Sequence, residues 1–436
     1  MEKELKKILL SYTSKNFEQK LSDLHAKVCE TATFNPGSPE GKKVAEIIGK
    51  VRNNGDKAVA FYTNQFDNVK ISPAQFRINK QELKKAHQQI DKKLLSSIRK
   101  AIANVKKYQQ EIFIGKNKSF GDTGIKYTPI SRVGLCIPGA SAPLPSTVIM
   151  TAVPALVAGV KEIVVISPPR CKGSIHPTIL ATCYELGIKE VYRIGGVQAV
   201  AALAYGTPTI NNVDKIVGPG NRWVQMAKKE VFGKVSIDSI AGPSEVLIIA
   251  DKTANPAYIA ADMLSQAEHP GSAVLFTDSL KLAQNVINEI EKQLNDLTKA
   301  EDTLQCLSNY SLIACFKNMN DVIMWANKFA TEHLEIQCGK NSKKIAEKIK
   351  NAGAIFIGEY SPVAVGDYFA GPSHTLPTGE CARFSSALTS NDFVKSISII
   401  EYDRNKILKS AGDIIRLAEA EGLDAHAKSV KIRLEK

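Results

Sequence analysis

Two short polar motifs lie where helical segments end in otherwise apolar sequence. Gln266 and His269 are three positions apart at the end of a segment that begins near Pro256, so they share one helix face. An amide oxygen and an imidazole nitrogen on one face could bind a divalent metal ion, although such pairs also occur without a metal. Glu332 and His333 are adjacent at the entry to a strand and offer two groups for proton transfer. The alternative for this second pair is an exposed ion pair.

Further residues of ligand type follow toward the carboxyl terminus. Asp367 and His374 lie in a glycine-rich loop after a strand, and Glu421 and His426 lie on the terminal helices. A glutamine, two histidines and an aspartate would supply nitrogen and oxygen ligands that suit Zn²⁺ or a similar metal. The eight cysteines contain no C-x-x-C pair, which excludes a four-cysteine zinc site and is typical of thiols in a reducing compartment. We expect plain surface roles for the remaining histidines, which are His25, His87 and His176.

Glycine- and proline-rich loops accompany several β-branched runs. In open α/β sheets such loops bring backbone N–H groups close to a ligand at the carboxyl ends of the strands. Each loop alone could be an ordinary turn, but the group together favours a mononucleotide or dinucleotide site. No G-x-G-x-x-G follows a strand, so the spacing does not establish a nicotinamide cofactor. The loops are Pro138–Pro143, Gly195-Gly196, Gly218–Asn221 and Gly242–Glu245.

The elements that must position these residues change character along the chain. Residues 1 to about 125 have mostly helical patterns, and from Arg132 short β-branched runs alternate with helical stretches. Such alternation is typical of parallel sheets built from βαβ units. Because the rhythm breaks at Asp251, we expect two sheets, followed by helices over Ile407–Glu421 and Asp424–Lys436. The predicted strands are Val133–Ile137, Glu162–Ser167, Val191–Ile194, Lys215–Val217, Val246–Ala250, Val274–Thr277, Leu312–Cys315, Leu334–Gln337 and Ala354–Gly358.

Composition excludes several classes of protein. The chain has 436 residues, of which 44% are hydrophobic, and this is too apolar for a disordered or low-complexity chain. The longest apolar window, Thr147–Val160, is shorter than the roughly 20 residues of a membrane span and contains Pro154. A net charge of +13 could indicate a polyanion partner, but the basic residues are widely spread without interleaved aromatics. We therefore expect a cytoplasmic protein with a solvated basic surface, no nucleic-acid partner and no membrane association.

Several longer strings resemble the histidinol dehydrogenase family, the zinc- and NAD-dependent enzymes of the last two steps of histidine biosynthesis. They occur in family order from about residue 30 to the carboxyl terminus, so the resemblance covers nearly the whole chain. The strings are Val133-Gly-Leu-Cys-Ile-Pro-Gly139, Gly195-Gly-Val-Gln198, Val213–Asn221, Ala241–Leu247, Leu264–His269, Glu332-His-Leu334, Gly366-Asp-Tyr368 and Gly371–Thr378.

The resemblance implies a role for each matching residue. The catalytic pair falls on Glu332 and His333. One Zn²⁺ per subunit is expected on Gln266, His269, Asp367 and His426, with His426 of the partner subunit completing the site. Substrate contacts fall on Ser244, Gln266, His269, His333, Asp367, His374, Glu421 and His426, and NAD contacts on Cys136, Gln198 and Asn221. Cys136 stands where the family commonly has tyrosine.

The resemblance also implies the architecture and the reaction. We expect an α/β fold with two Rossmann-like parallel-sheet domains, one inserted in the other, plus a small N-terminal helical piece and a C-terminal helical tail. The expected reaction oxidises L-histidinol through L-histidinal to L-histidine with two NAD⁺, in a homodimer with shared active sites. A related dehydrogenase acting on another polar primary alcohol, and a basic nucleic-acid-binding protein without catalysis, are the rival interpretations. The domains are residues 1–29 (N-terminal piece), 30–132 with 244–388 (metal and catalytic domain), 133–243 (inserted NAD domain) and 389–436 (tail crossing to the partner).

Overall fold

Strands and helices alternate along most of this chain, whose structure is a computed structural model that describes residues 5, 7–30, 37–139, 143–268 and 271–435. The strands are β1 (Leu9–Ser11), β2 (Lys118–Ser119), β3 (Thr123–Pro129), β4 (Arg132–Cys136), β5 (Glu162–Ile166), β6 (Glu190–Tyr192), β7 (Lys215–Val217), β8 (Ser236–Ile237), β9 (Ser244–Ala250), β10 (Gly271–Thr277), β11 (Leu312–Cys315), β12 (His333–Gln337), β13 (Ala354–Ile357) and β14 (Val394–Ile400). The helices are α1 (Phe17–Glu30), α2 (Pro39–Asn54), α3 (Asp56–Asp67), α4 (Lys80–Gln89), α5 (Lys92–Glu111), α6 (Pro145–Ala158), α7 (Pro177–Glu185), α8 (Gly196–Tyr205), α9 (Arg222–Val231), α10 (Pro256–Ala267), α11 (Leu280–Leu294), α12 (Ala300–Tyr310), α13 (Met319–Phe329), α14 (Ser342–Ala346), α15 (Val363–Tyr368), α16 (Arg404–Ala420) and α17 (Asp424–Lys431).

These elements group into two units. Unit 1 comprises Met1–Phe113 and Ile130–Phe393, and it contains both parallel sheets. Unit 2 comprises Ile114–Pro129 and Val394–Lys436. In unit 2, β14, β3 and β2 form an antiparallel sheet in that order, and α16 and α17 follow. The boundaries of the four domains expected from the sequence remain a prediction.

The two parallel sheets of unit 1 have the same strand order. The five-stranded sheet is ordered β6-β5-β4-β7-β8, and the six-stranded sheet β1-β11-β10-β9-β12-β13. Numbered from β4 in one sheet and from β9 in the other, each sheet follows the order 3-2-1-4-5 of a Rossmann fold, with β1 added at one edge of the larger sheet. The predicted α/β fold class with two Rossmann-like sheets is confirmed.

The six-stranded sheet is buried on both faces, which explains the continuous apolar run in β9. Val246 and Ile248 pack on one face with residues of α10 and α11. Leu247 and Ile249 pack on the other face with residues of α13. Alternate residues of a strand point to opposite faces, so a strand covered on both sides needs apolar residues at every position.

The strands that the sequence patterns missed are β1 and β8, at edges of the two parallel sheets, and the three strands of the antiparallel sheet in unit 2. Leu9–Ser11 pairs in parallel with β11, although the N-terminal segment reads as helical. In unit 2, Thr123–Pro129 pairs antiparallel with Val394–Ile400, and both strands are largely exposed or only half-buried. Such strands depend on a partner far away in the sequence, so local patterns indicate them poorly. None of the helices in the described ranges is long and apolar enough to span a bilayer.

Candidate active site and nucleotide pocket

Glu332 lies just before β12, and the first residues of β9 hold its carboxyl group. Its Oε2 accepts a hydrogen bond of 2.6 Å from Ser244 Oγ and another of 2.9 Å from the backbone N–H of Glu245. Burial raises the pKa of Glu332 to about 7, while these two hydrogen bonds act in the opposite direction. A carboxyl group in this state can both take up and release a proton near neutral pH.

His333, the first residue of β12, presents one unpartnered nitrogen. Its Nδ1 lies 3.0 Å from the backbone oxygen of Glu245, and since a carbonyl only accepts, Nδ1 carries the proton. In the neutral ring the lone pair is then on Nε2, which is buried and has no hydrogen-bond partner among the described residues. Burial lowers the pKa of His333, although the charge of Asp367 opposes this effect. The ring is therefore a neutral base with a free lone pair.

Asp367, on α15, faces two imidazole rings. Its Oδ1 lies 3.8 Å from His333 Nε2 and 3.9 Å from His374 Nδ1. Burial, helped by the neighbouring His333 and opposed by a hydrogen bond involving Asp367, lowers the pKa of His374 to about 4. Burial raises the pKa of Asp367, and His333 opposes that rise. Neutral imidazoles around a carboxylate are groups that a zinc ion prefers as ligands.

Gln266 lies on α10 at the same edge of the six-stranded sheet and is 8% exposed. Gly271 begins β10 there, and a methyl group on it would lie 2.6 Å from Gln266 Nε2 and 2.5 Å from the backbone oxygen of Ser244. Only glycine leaves room for the amide beside the first residue of β9. Gln266 and Ser244 therefore converge on one point of this edge.

Three further predicted site residues lie outside the described part of unit 1. His269 lies outside the described residues. Glu421 follows α16 and His426 lies on α17, both in unit 2 and both exposed. Their roles remain predictions.

Two buried carboxyl groups that sequence reasoning did not assign support the site. Glu245 Oε1 accepts a 2.5 Å hydrogen bond from the backbone N–H of Gly379, and burial raises the pKa of Glu245 to about 8. The sequence places Glu245 in the glycine-rich loop Gly242–Glu245 and gives no indication that its side chain is buried.

The second of these groups is Glu335, in the middle of β12. Its Oε1 accepts a 3.0 Å hydrogen bond from the N–H of Val363, and Gln337 Nε2 donates both to Glu335 and to Asp262. Burial and the adjacent Asp262 raise the pKa of Glu335 well above its ordinary value. Since Asp262 belongs to α10 and Val363 begins α15, the group ties together the two helices that carry the predicted metal ligands.

A separate cavity of about 740 Å³ opens at the carboxyl ends of the five-stranded sheet. The three residues expected to contact NAD, Cys136, Gln198 and Asn221, all line it. Both polar atoms of the fully buried Gln198 amide lack a hydrogen-bond partner among the described residues. Cys136 is also a buried residue of the hydrophobic core, and Asn221 Oδ1 caps α9 by accepting from Val224 N. A volume of this size suits a large organic ligand.

A buried ion pair holds the loop after β7 at the floor of this cavity. Gly218 adopts φ +110°, and a methyl group there would lie 2.4 Å from the backbone oxygen of Cys136. Lys228 Nζ donates a 2.9 Å hydrogen bond to the backbone oxygen of Gly218. The backbone N–H of Gly218 donates a 2.7 Å hydrogen bond to Asp238 Oδ2. Lys228 and Asp238 are 2.5 Å apart and both are buried. Charged side chains thus fix the peptide at the strand-order switch point, where Rossmann folds bind nucleotides.

A short series of hydrogen bonds connects the cavity to the edge of the six-stranded sheet where Ser244, Glu332 and His333 lie. This edge is called the catalytic edge below, after the role expected for the last two residues. Gln225 Nε2 donates to the oxygen of Gly220, which lines the cavity, and Gln225 Oε1 accepts from Ala241 N. The next residue, Gly242, donates to Thr378 Oγ1. The nucleotide pocket and the loop that supports Glu245 are therefore joined through side chains and backbone.

A Rossmann-order sheet with such a cavity, joined to a buried carboxyl–imidazole pair, is the arrangement of an α/β enzyme that combines a ligand cavity with a proton-transfer site. A family model described as histidinol dehydrogenase matches residues 38–434. The chain therefore belongs to the histidinol dehydrogenase family and is an NAD-dependent oxidoreductase of histidine biosynthesis, as the sequence strings indicate.

Individual relatives agree with this assignment. The chain is 44% identical over 424 residues to the histidinol dehydrogenase of Thermosynechococcus vestitus, a match that covers 95% of this chain and 98% of that protein. It is 46% identical over 409 residues to that of Bacillus subtilis, covering 92% and 95%. Among solved structures, the histidinol dehydrogenase of Elizabethkingia anophelis matches with a TM-score of 0.89 at 33% identity, covering 98% of this chain and 97% of that one.

Proposed function

We propose that this enzyme oxidises L-histidinol through L-histidinal to L-histidine with two NAD⁺, in a zinc-dependent reaction. The observation that carries the proposal is the adjacency of Glu332 and His333, one a carboxyl group with a pKa of about 7 and the other a neutral imidazole with a free Nε2. Two oxidations at one carbon require two different proton removals, and these groups differ in proton affinity and position.

In this proposal each residue has one task. His333 accepts the hydroxyl proton of the alcohol at Nε2 as hydride leaves for NAD⁺. Glu332 then removes a proton from the water that adds to the aldehyde, and Ser244 and the backbone N–H of Glu245 keep its carboxylate in place. Burial of both groups limits the access of bulk water to the aldehyde stage.

The donor set fits a zinc ion. Asp367 offers a partly buried carboxyl group, and Gln266 is buried beside a glycine that leaves room for its amide. We propose Gln266, His269 and Asp367 as ligands, completed by His426 of the partner subunit. A zinc ion held there would fix the substrate and orient its reacting carbon.

Substrate and cofactor contacts complete the proposal. His374 and Ser244 line the catalytic edge, and Glu421 would reach the substrate from the tail of the partner in a homodimer. The unpartnered Gln198 amide supports a nucleotide in the cavity, beside Cys136 and Asn221. The exposure of His426 and Glu421 in a single chain is compatible with donation to a second subunit. A cytoplasmic location stays a prediction.

Steady-state NADH formation tests the proposal directly. We expect NADH from histidinol, loss of activity with a chelator and recovery with Zn²⁺. Oxidation of other polar primary alcohols but not histidinol would refute the assignment of histidinol as the substrate. Activity that is unaffected by metal removal would refute the zinc dependence.

Hybrid dimers test the shared site. The single variants His426→Asn and His269→Asn should each be inactive, whereas mixed subunits should regain one complete site per dimer. If the hybrids stay as inactive as the single variants, the tail does not cross to the partner.

A further inference from the structure

Away from the catalytic residues, one group of side chains combines an imidazole, a thiol and a carboxylate. His25 and Cys29 are one turn apart on α1, with Cys29 Sγ 3.5 Å from His25 Nε2. Glu380 Oε2 lies 3.8 Å from the same nitrogen. One ligand atom from each of the three residues lies within 4.8 Å of the other two. His25 was expected on a solvated surface, but its side chain is only 14% exposed.

The separation of the thiol sulfur and the imidazole nitrogen matches one edge of a metal coordination tetrahedron. Bonds of about 2.3 Å to sulfur and about 2.0 Å to nitrogen separate the two ligand atoms by about 3.5 Å at a tetrahedral angle. That is the separation of Cys29 Sγ and His25 Nε2. The separation of Glu380 Oε2 from the nitrogen is slightly longer than a zinc site requires, and a small rotation of a partly exposed carboxylate would close it.

Neighbouring groups direct the glutamate toward α1. Glu380 has a left-handed backbone, φ +59°, which is uncommon for a residue with a side chain. Arg383 Nη2 binds its Oε1 at 2.9 Å, so that Oε2 faces His25. The residue before it is Gly379, whose N–H is held by the buried carboxyl of Glu245. The third ligand is therefore presented by a loop that is fixed on both sides.

The protonation states also suit a metal. Burial lowers the pKa of His25, with further lowering from Lys328 and Arg383, while Glu380 opposes them. The imidazole is thus neutral, as a ligand must be. Burial and the charge of Glu380 raise the pKa of Cys29 to about 12, so the metal-free thiol keeps its proton. On binding, a cation replaces that proton, which leaves to solvent as the metal–sulfur bond forms.

We propose that His25, Cys29 and Glu380 form a metal site for Zn²⁺ or a cation of similar ligand preference, separate from the active-site ligands. Mixed nitrogen, sulfur and oxygen donors favour such a cation over Mg²⁺ or Ca²⁺. The ion would link α1 to the loop that supports Glu245, and solvent would occupy its fourth position. This inference is independent of the proposed function, because none of its three residues belongs to the catalytic machinery.

Cobalt substitution distinguishes this site from the active site. The active-site ligands proposed above contain no sulfur, so a thiolate-to-cobalt charge-transfer band in the near ultraviolet reports on a cysteine-containing site, and its loss in Cys29→Ser assigns the band to Cys29. We expect the full-length protein loaded with Co²⁺ to show this band, and Cys29→Ser to lose it together with one metal ion per chain. Cys171→Ser removes another partly buried free thiol and should keep both the band and the metal.

A second variant covers the case in which Cys29→Ser fails to fold. His25→Gln keeps the thiol, and we expect it to weaken cobalt binding at this site at least about tenfold in competition with a chromophoric chelator. If the wild-type protein shows no such band, Cys29 and His25 form only an S–H···N hydrogen bond, and the proposal is overturned. Persistence of the band in Cys29→Ser, or unchanged affinity in His25→Gln, would do the same.

Discussion

The two parallel sheets of unit 1 share one strand order but use opposite edges. In the five-stranded sheet the cavity lies at the carboxyl ends of the strands, and its floor is backbone held by the Lys228–Asp238 pair. In the six-stranded sheet the functional groups lie at the amino-terminal ends, with Ser244 opening β9 and His333 opening β12. The common rule that ligands bind at the carboxyl edge therefore describes only one of the two sheets.

The two edges also differ in chemistry. At the cavity, burial raises the pKa of Cys136 to about 12, so this thiol stays neutral. At the catalytic edge, burial moves the pKa of Glu332 to about 7 and keeps His333 neutral. In the proposed function, one edge holds a ligand through backbone and amide groups, and the other edge moves protons. The same topology thus serves binding in one sheet and chemistry in the other.

The largest effect is expected from breaking the ion pair below the cavity. Asp238→Asn leaves Lys228 buried without its counter-charge, which costs about 3–5 kcal/mol. We expect a lower urea midpoint and weaker NAD⁺ binding. As a control, Asp413→Asn breaks an exposed pair with Arg416 and should cost less than about 1 kcal/mol. Equal midpoints for the two variants would mean that the buried pair does not support the nucleotide-binding sheet.

A pH profile should separate the two edges next. Glu332 acts as a base only when deprotonated, so histidinal oxidation should fall about tenfold per pH unit below its pKa of about 7. The affinity for NAD⁺ should change little over the same range, because the Cys136 thiol does not ionise there. The measurement is kcat for histidinal beside NAD⁺ titrations at each pH. A kcat that stays constant from pH 5 to pH 7 would contradict this account of the two edges. So would an NAD⁺ affinity that falls with pH as steeply as kcat does.

Matched glycine substitutions test the same division with a smaller effect. Gly218→Ala places a side chain at φ +110° against Cys136, a strain of about 1–3 kcal/mol, and should weaken NAD⁺ binding while metal content is kept. Gly271→Ala crowds Gln266 and Ser244 and should lower metal content and kcat while NAD⁺ affinity is kept. Each variant is compared by calorimetry and metal analysis on folded protein. Identical defects in both variants would show that the two edges do not act separately.

Local patterns in the sequence predicted nine of the eleven described strands in the two parallel sheets, all except the edge strands β1 and β8, together with the Glu332-His333 motif. The apolar run of β9 and the neighbouring residues Glu332 and His333 can be recognised in the sequence without the tertiary structure. Lys228 could not be predicted as buried, because its partners Gly218 and Asp238 meet it only in the folded sheet. A lysine on a helix reads as exposed from sequence alone.

The location of the catalytic edge at the amino-terminal ends of the strands also could not be predicted from the sequence. Glu332 and His333 were assigned to a strand-entry loop, but only the pairing of β12 with β9 brings Ser244 and the Glu245 backbone to them. The motifs that resemble the family supplied the residues, whereas the hydrogen bonds that set their proton affinities come from distant segments.

Single-turnover NADH formation by Glu332→Gln tests the central claim most directly. The variant keeps the shape of the side chain but removes the base that activates water for the second oxidation. We expect it to form about one NADH per site from histidinol and to oxidise added histidinal poorly, whereas His333→Asn should slow the first oxidation as well. Two NADH per site from histidinol at the wild-type rate would contradict the account, and His333 would then have to carry both proton transfers.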